Sequence, residues 1–297
     1  MLNKIFKSLS LAKLRVAFEM GATHVLEVER STEILPDFDF VSYGGLTDKD
    51  YPVLEEFSFS DQFTFIHELE LHDYGYGSDH PDQADWNHDL FKWTSGSVSR
   101  GDAGILNLRI LSVDRFACRA VVHGTLQGSS MEMNMDVLFR FKIVGFVPGR
   151  HDLGYAAEAV AEALSFESEG KMKQAFFGYF AALDSFIESE RLRINKGRDE
   201  STVIKTEQKL KQKLDIVVKE AIGTQIALND VKIWGDVKNV FSKCEDLRNR
   251  IAHNEPSKAI SKVDVDECFS LVAIVIAIVK HNKTEAKHIA AHYGVEL

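Results

Sequence analysis

The distribution of proline divides this chain more sharply than any other feature of its sequence. No proline lies between Gly149 and Glu255, whereas four of the five prolines and twelve of the nineteen glycines lie at or before Gly149. Proline breaks helices because it lacks a backbone N–H and clashes with the preceding turn, so a proline-free stretch accommodates long helices. We therefore predict an α+β chain, with a mostly antiparallel β-sheet domain at residues 1–148 and an all-α bundle at residues 149–297.

Alternation of apolar and polar residues indicates strands in the first domain. Over residues 131–143 every odd position is apolar, which is typical of a strand with one buried face. Residues 106–110 show the same alternation, and residues 116–127 form a third run. Because Gly128-Ser129-Ser130 is typical of a hairpin turn, we predict an antiparallel meander over residues 104–147.

The rest of the first domain has a weaker pattern. Residues 38–43 and 63–72 are further strand candidates, residues 2–20 predict a short helix, and residues 73–104 predict a long loop. Several histidines and aspartates lie in and beside this loop: His67, His72, His80, His88, Asp73, Asp79 and Asp85. Their spacing matches no zinc-binding pattern, so we expect no metal and no other cofactor.

Apolar residues recur at three- and four-residue spacing in the second domain, which predicts five helices. The first is expected to begin at Asp152 as its N-cap and to end before Gly170. The other four correspond to apolar stripes within residues 172–187, 204–222, 234–251 and 265–282. Pro256 should end the fourth helix, and the fifth is apolar on all sides, as in the middle of a bundle.

The fourth helix carries an unusual set of polar residues near its end. On a helical wheel its apolar residues cluster on one side: Val237, Phe241, Cys244, Leu247 and Ile251. Arg248 falls within that apolar cluster, whereas Asn249 and His253 lie together on another side, with Arg248 and His253 about 140° apart. One regular helix therefore cannot direct both at one substrate atom. Either the helix loosens near His253, because Pro256 disfavours helical geometry at Glu255, or a second copy of the chain completes the site.

These residues resemble the signature of the HEPN superfamily: an Arg, a polar residue, three further residues and a His near the end of a bundle helix. The likeness is strongest at residues 244–254, Cys-Glu-Asp-Leu-Arg-Asn-Arg-Ile-Ala-His-Asn, and the aromatic and alanine residues at 176–184 are also similar to that family. It covers residues 151–297 only.

The resemblance implies a bundle that dimerises, so that two motifs form one composite, metal-independent endoribonuclease site. The resemblance implies that His253 is the general acid or base, that Arg248 holds the scissile phosphate, and that Asn249 orients the imidazole. The attacking group is the 2′-hydroxyl of RNA, so DNA is not cut. A simpler alternative pairs Arg248 with Asp184 or Glu245 and leaves His253 as a helix-end residue.

Charge bears on the RNA expected as substrate. The net charge of −10 argues against a protein that coats nucleic acid without specificity. Residues 191–219 nevertheless hold nine basic and four acidic residues, the only sizeable basic patch. We predict that the RNA-binding residues are Arg250, Lys243, Arg191, Arg193, Lys196 and Arg198. The alternative is a solvated helix face with no nucleic-acid role.

Location and biological role follow from weaker signals. The three separated cysteines and the interrupted apolar pattern of the first twenty residues predict a cytoplasmic protein with reduced thiols. The longest apolar run, residues 271–279, is too short to span a membrane. HEPN proteins of this layout resemble toxins and abortive-infection effectors of antiviral defence, in which the first domain senses a trigger. The alternatives are a non-catalytic dimerisation and binding module, or a toxin held inactive by a separate antitoxin.

Overall fold

The computed structural model divides the chain into a helical unit and a β unit. It describes residues 2–34, 49–76, 98–100, 104–128, 135–150, 152–199, 202–205, 208–223, 226–253 and 259–297. The β unit is His24–Val147, and the helical unit combines Met1–Thr23 with Pro148–Leu297. The α+β class is therefore confirmed, and so is the change of structure near residue 148. The assignment of residues 1–23 to the first domain was wrong, because these residues pack with the bundle.

Within the described parts of the β unit, seven strands form two antiparallel sheets. They are β1 (His24–Ile34), β2 (Lys49–Ser58), β3 (Phe65–Tyr76), β4 (Val98–Arg100), β5 (Gly104–Asp114), β6 (Arg119–Gly128) and β7 (Met135–Phe146). One sheet has the order β1-β7-β3 and the other the order β2-β6-β5-β4. The predicted strand at 63–72 is confirmed as β3, which extends into the predicted loop, and the candidate at 38–43 lies outside the described residues.

The predicted meander is only half correct. Strands β5 and β6 pair as expected, with Leu108 opposite Gly124, but β7 joins the other sheet between β1 and β3. The hairpin proposed at residues 128–130 therefore does not pair β6 with β7. The predicted buried face of β7 is confirmed, since Phe139, Phe141 and Ile143 are fully buried. Alternation determines which face of a strand is buried but not which strands pair with it, so the neighbours of β7 could not be predicted from its own pattern.

Aromatic rings fill the core of the β unit. Phe57 of β2 lies with its ring centroid 4.7 Å from that of Phe139, and Phe59 lies 5.0 Å from Phe141. At these separations tilted rings contact one another edge to face, which adds to the free energy gained by burying them.

The described residues of the helical unit form eight α-helices. They are α1 (Leu2–Leu11), α2 (Lys13–Glu19), α3 (Tyr155–Ser168), α4 (Met172–Asn195), α5 (Leu210–Ile222), α6 (Trp234–Ala252), α7 (Lys262–His281) and α8 (Ala286–His292), with a short 3₁₀ turn at Leu228–Asp230. The central position expected for the last predicted helix is confirmed, since Leu271 and Ile274 of α7 are fully buried. Helix α3 begins after Gly154, so Asp152 is not its N-cap.

A buried lysine holds the N-terminal segment in the bundle. Nζ of Lys13 in α2 lies 2.7 Å from a carboxylate oxygen of Glu167 in α3 and 2.7 Å from one of Asp266 in α7. The Tyr179 hydroxyl of α4 donates to Glu167 at 2.9 Å. Burial raises the pKa of the Glu167 carboxyl, but Lys13 and the hydrogen bonds from Lys13, Tyr179 and Lys262 outweigh that effect and lower it. The carboxylate therefore stays ionised opposite the lysine.

We predict that Lys13→Met lowers the free energy of unfolding by about 3 kcal/mol, because it leaves two carboxylates without their buried cation. Urea unfolding of the full chain measures this change. Lys287→Met removes an exposed lysine that is paired with Glu285, and it should cost less than about 1 kcal/mol. Equal effects of the two substitutions would contradict the anchoring role of Lys13.

A second prediction concerns pH and the β unit. Burial, together with the charge of Arg115, lowers the pKa of His67 to about 4. In the unfolded chain the pKa of this histidine is about 6.5. Between pH 4 and pH 6.5 the unfolded chain therefore binds a proton that the folded chain does not. The free energy of unfolding should rise with pH through this window and level off above it. The His67 side chain should thereby change the free energy of unfolding by about 3 kcal/mol over this window. Urea unfolding from pH 4 to 8 measures this change, and the His67→Gln chain should not show it. An unchanged pH dependence in that variant would contradict the assignment.

Candidate functional site

Helix α6 carries the polar motif on a regular backbone. Its packed face is formed by Trp234, Val237, Phe241, Cys244 and Leu247, which are all buried. Burial along this face declines towards the C-terminal end, where Ile251 is half-buried and Arg248 is exposed. The last turn of α6 therefore presents its motif to solvent.

Arg248 does not lie in an apolar environment. The prediction that it falls within the apolar cluster of the helix was therefore wrong. Its side chain is exposed, and Nη1 donates to the Asn249 Oδ1 at 3.1 Å. The wheel placed Arg248 at the correct angle, but at this end of α6 the packed face is no longer covered. An exposed guanidinium keeps its hydration and is accessible to a phosphate, so it requires no buried partner.

His253 is the C-cap of α6, and its side chain is also exposed. Its backbone N–H donates to the Asn249 carbonyl at 3.0 Å, the normal helical bond to the residue four positions earlier. Residues 254–258, where the loosening near His253 was predicted to arise, lie outside the described residues, whereas the helix is regular up to the His253 amide. The angle of about 140° between Arg248 and His253 is therefore retained within one chain.

Asn249 differs from its expected role. Its side-chain oxygen accepts a hydrogen bond from Arg248, so the contact observed positions the guanidinium instead of the imidazole. Asn249 and His253 remain neighbours on one side of α6, four residues apart.

One acidic residue of α4, Asp184, interacts electrostatically with Arg248, and a second, Glu188, lies near Asp184. Burial raises the pKa of Asp184, and the nearby charges of Lys213 and Arg248 oppose that shift, whereas Glu188 adds to it. The pKa of Glu188 is lowered, and hydrogen bonds from Arg191 are the largest cause. Arg248 therefore lies beside a mixed charge cluster formed by α4 and α5.

Arg191 has a structural role in this cluster. Its guanidinium is buried, lies 2.5 Å from the Glu188 carboxylate and donates to the Ile204 carbonyl at 2.8 Å. A group engaged in this way does not reach a phosphate outside the protein. The prediction that Arg191 binds RNA is corrected accordingly, because the connector after α4 folds back onto it.

Intramolecular ion pairs also engage three of the other basic residues predicted to bind RNA. Arg193 pairs with the buried carboxylate of Glu190, Arg198 with Glu220, and Lys243 with both Asp264 and Glu267 of α7. Lys196 and Arg250 are exposed. The basic patch of the sequence is thus partly neutralised by acids that are close only in the folded chain.

A shallow surface groove lies along α6 between Asn239 and Arg250. It has a volume of about 350 Å³ and is lined by Asn239, Ser242, Lys243, Asp246, Leu247 and Arg250. The sequence analysis missed Asn239, Ser242 and Asp246 as site residues. Asn239, Asp246 and His253 are spaced seven residues apart, which places them on one face of the helix. This spacing is the sequence signal that could have identified Asn239 and Asp246.

Comparison of the chain with protein-family models, curated proteins and solved structures gave no match. No helix in the described parts of the chain is long and apolar enough to cross a membrane. Among the same residues, no three His, Cys, Asp or Glu side chains form a group suited to a metal ion. The histidines at 80 and 88 lie outside the described residues.

The contrast between Arg191 and Lys196 leads to a prediction. Arg191→Gln should lower the free energy of unfolding by about 2 kcal/mol, because it removes charged hydrogen bonds from a buried site. Lys196→Gln changes an exposed side chain and should alter stability by less than about 0.5 kcal/mol. Thermal and urea unfolding measure both, and a neutral Arg191→Gln substitution would contradict the structural role.

Proposed function

We propose that this chain is a metal-independent endoribonuclease that acts as a homodimer through Arg248, Asn249 and His253. The observation that carries the proposal is the exposure of all three side chains at the end of one regular helix. A guanidinium, a carboxamide and an imidazole together provide phosphate binding and proton transfer without a metal. The resemblance of residues 244–254 to the HEPN signature supports the same chemistry.

The geometry of α6 favours a site shared between two chains. Arg248 and His253 diverge by about 140° around the helix, so these two side chains of one chain cannot both contact the same small substrate group. A second copy related by a twofold axis would place the His253 of one chain opposite the Arg248 of the other, twice per dimer. The exposed last turn of α6 is available for such a contact.

The proposed reaction is a transesterification within the RNA strand. The 2′-oxygen attacks the adjacent phosphorus, its proton passes to a base, and the bond from phosphorus to the 5′-oxygen breaks as that oxygen gains a proton. Imidazole performs such transfers near neutral pH, so His253 is the proposed general acid or base. Arg248 stabilises the additional negative charge on the phosphate oxygens, and Asn249 positions the guanidinium. The products carry a 2′,3′-cyclic phosphate and a 5′-hydroxyl.

The proposed biological role is that of a cytoplasmic toxin or abortive-infection effector. The β unit follows α2 and precedes α3 in the sequence, so both of its ends continue directly into the helical unit. We propose that this inserted unit recognises a protein trigger or an antitoxin, and that recognition alters the bundle through these two connections.

A second candidate function is a non-catalytic dimerisation and binding module. The observation that favours it is the engagement of Arg193, Arg198 and Lys243 in intramolecular ion pairs, which reduces the positive charge open to RNA. In that case the exposed end of α6 binds a second chain or another protein, and no RNA is cut.

Incubation with RNA in EDTA separates the two functions. The wild-type chain should release fragments with cyclic phosphate ends, and Arg248→Ala and His253→Ala should each slow cleavage by at least about 100-fold. His288→Ala removes an exposed histidine of α8 and serves as the matched control with unchanged activity. Cleavage that persists in both motif variants would refute the site, and a wild type that cuts no RNA would favour the binding module.

Mixing the two inactive variants tests the shared site. A dimer of one Arg248→Ala chain and one His253→Ala chain contains one intact composite site and one doubly altered site. Random exchange of chains should therefore restore about one quarter of wild-type activity. No recovery after exchange, or a strictly monomeric wild type in light-scattering measurements, would contradict a site formed between chains.

A further inference from the structure

The short helix α8 covers part of two longer helices. It packs against α1 and α7, and Ile289, Ala290 and the following Tyr293 are buried. The Tyr293 hydroxyl donates to the Ala273 carbonyl in the middle of α7 at 2.7 Å. The docking of α8 therefore depends on a small apolar surface and a specific hydrogen bond. A contact of this size can open locally while the rest of the bundle stays folded.

Two histidines meet where α8 contacts the end of α7. The ring centroids of His281, the last residue of α7, and His292, the last residue of α8, lie 4.1 Å apart with an angle of 38° between the planes. The ring of His292 also lies 4.8 Å from that of the buried Tyr293. Because the two imidazoles are in direct contact, a charge on one acts on the other at short range. We call His281 and His292 the histidine pair.

The position of His292 suits a neutral imidazole. Its Nε2 atom is buried and has no hydrogen-bond partner among the described residues. A neutral imidazole can leave this nitrogen without a proton, whereas an imidazolium would place an N–H donor and a positive charge there without an acceptor. The docked position of α8 therefore favours the deprotonated histidine.

The surrounding charges act mainly in the same direction. Partial burial is the largest cause that lowers the pKa of both histidines. The pKa of His281 is lowered further by His292, Lys283 and Lys280. Lys283 also lowers the pKa of His292, whereas Glu19 of α2 raises it. Protonation of the docked pair is thus opposed by cations on α7 and favoured by one carboxylate on α2.

The other charged groups around α8 do not supply a further counterion. Lys280 is paired with Glu190 at 2.6 Å, and on α8 itself Lys287 is paired with Glu285. The Arg15 guanidinium of α2 packs against the turn that follows α8. The charged residues of α1 are two exposed lysines, Lys4 and Lys7. Two imidazolium ions at this contact would therefore repel each other with little compensation.

We propose that the histidine pair is an acid-sensitive switch that releases α8 from α1 and α7 below about pH 6.5. In the released helix both imidazoles are hydrated and have their ordinary pKa, whereas docking lowers it. The released state therefore binds more protons, so the docked state loses stability as the pH falls below that ordinary value and keeps its full stability above it. Release would uncover apolar surface on α1, within the segment that leads into the β unit. The inference is independent of the proposed ribonuclease function.

Hydrogen exchange of the α8 amides tests the switch. Mass spectrometry on the full chain at pH 7.5 and pH 5.5, corrected for intrinsic exchange rates, gives the opening constant of α8 at each pH. This constant should rise at least about tenfold at the lower pH, since each histidine contributes up to about tenfold at one unit below its ordinary pKa. The central part of α7 should remain protected at both values, because the opening is local.

Variants identify the groups responsible. His281→Phe combined with His292→Phe keeps two rings in contact and removes both titrating groups, so α8 should be protected equally at both pH values. The single His281→Phe chain keeps one histidine and should show an intermediate response. It provides the test if the double variant does not dock α8. His288→Phe changes an exposed histidine of the same helix and should leave the response of the wild type unchanged.

The outcomes are decisive without any measurement of RNA cleavage. Equal protection of α8 in the wild type at both pH values would overturn the switch, and so would an α8 that is already unprotected at pH 7.5. A full response in the single or the double phenylalanine variant, or its loss in His288→Phe, would show that the histidine pair is not responsible.

Discussion

A buried ammonium group, that of Lys13, connects four helices of the helical unit. Lys13 contacts carboxylates on α3 and α7, and its Nζ lies 5.4 Å and 5.3 Å from the ring centroids of Tyr179 in α4 and Phe269 in α7. One side chain thus connects α2 with three helices of the bundle. A charge that is nine-tenths buried is tolerated only because anions and ring faces replace its water, so the arrangement specifies how these helices meet.

This ion pair also places the start of α7 beside the candidate site. The first turns of α7 carry three acids, of which Asp266 faces Lys13, whereas Asp264 and Glu267 contact Lys243 of α6. Helix α7 therefore joins the N-terminal segment to the helix that carries the motif. The two sets of ion pairs are separate, and the backbone of α7 is what connects them.

The candidate site combines exposed catalytic chemistry with positions set by packing. Arg248, Asn249 and His253 lie at the end of α6, whose earlier turns are held by buried side chains such as Phe241 and Leu247. Rigid support of this kind keeps reactive groups in place without burying them. The same rigidity keeps Arg248 and His253 on different sides of the helix. This separation is the reason that the proposed function places the reaction between two chains.

Local patterns in the sequence were sufficient for the elements themselves. Alternation gave the buried face of β7, the spacing of aromatic residues predicted α4, and the unbroken apolar run predicted the central position of α7, because each depends on residues within one element. The polar motif of α6 and its angular separation could also be predicted, since helix geometry determines them.

Contacts between distant residues were decided only by the tertiary structure. Lys13 and Glu167 are 154 positions apart, and no periodicity relates them, so the N-terminal segment was assigned to the wrong domain. The partners of β7 and the burial of Arg191 depend in the same way on surfaces that exist only after folding. The sequence by itself therefore identified the motif residues Arg248, Asn249 and His253 at the end of α6, but not the groove residues Asn239, Ser242 and Asp246. Folding decided which of its charges remain exposed, because ion pairs form with acids that no local pattern brings near.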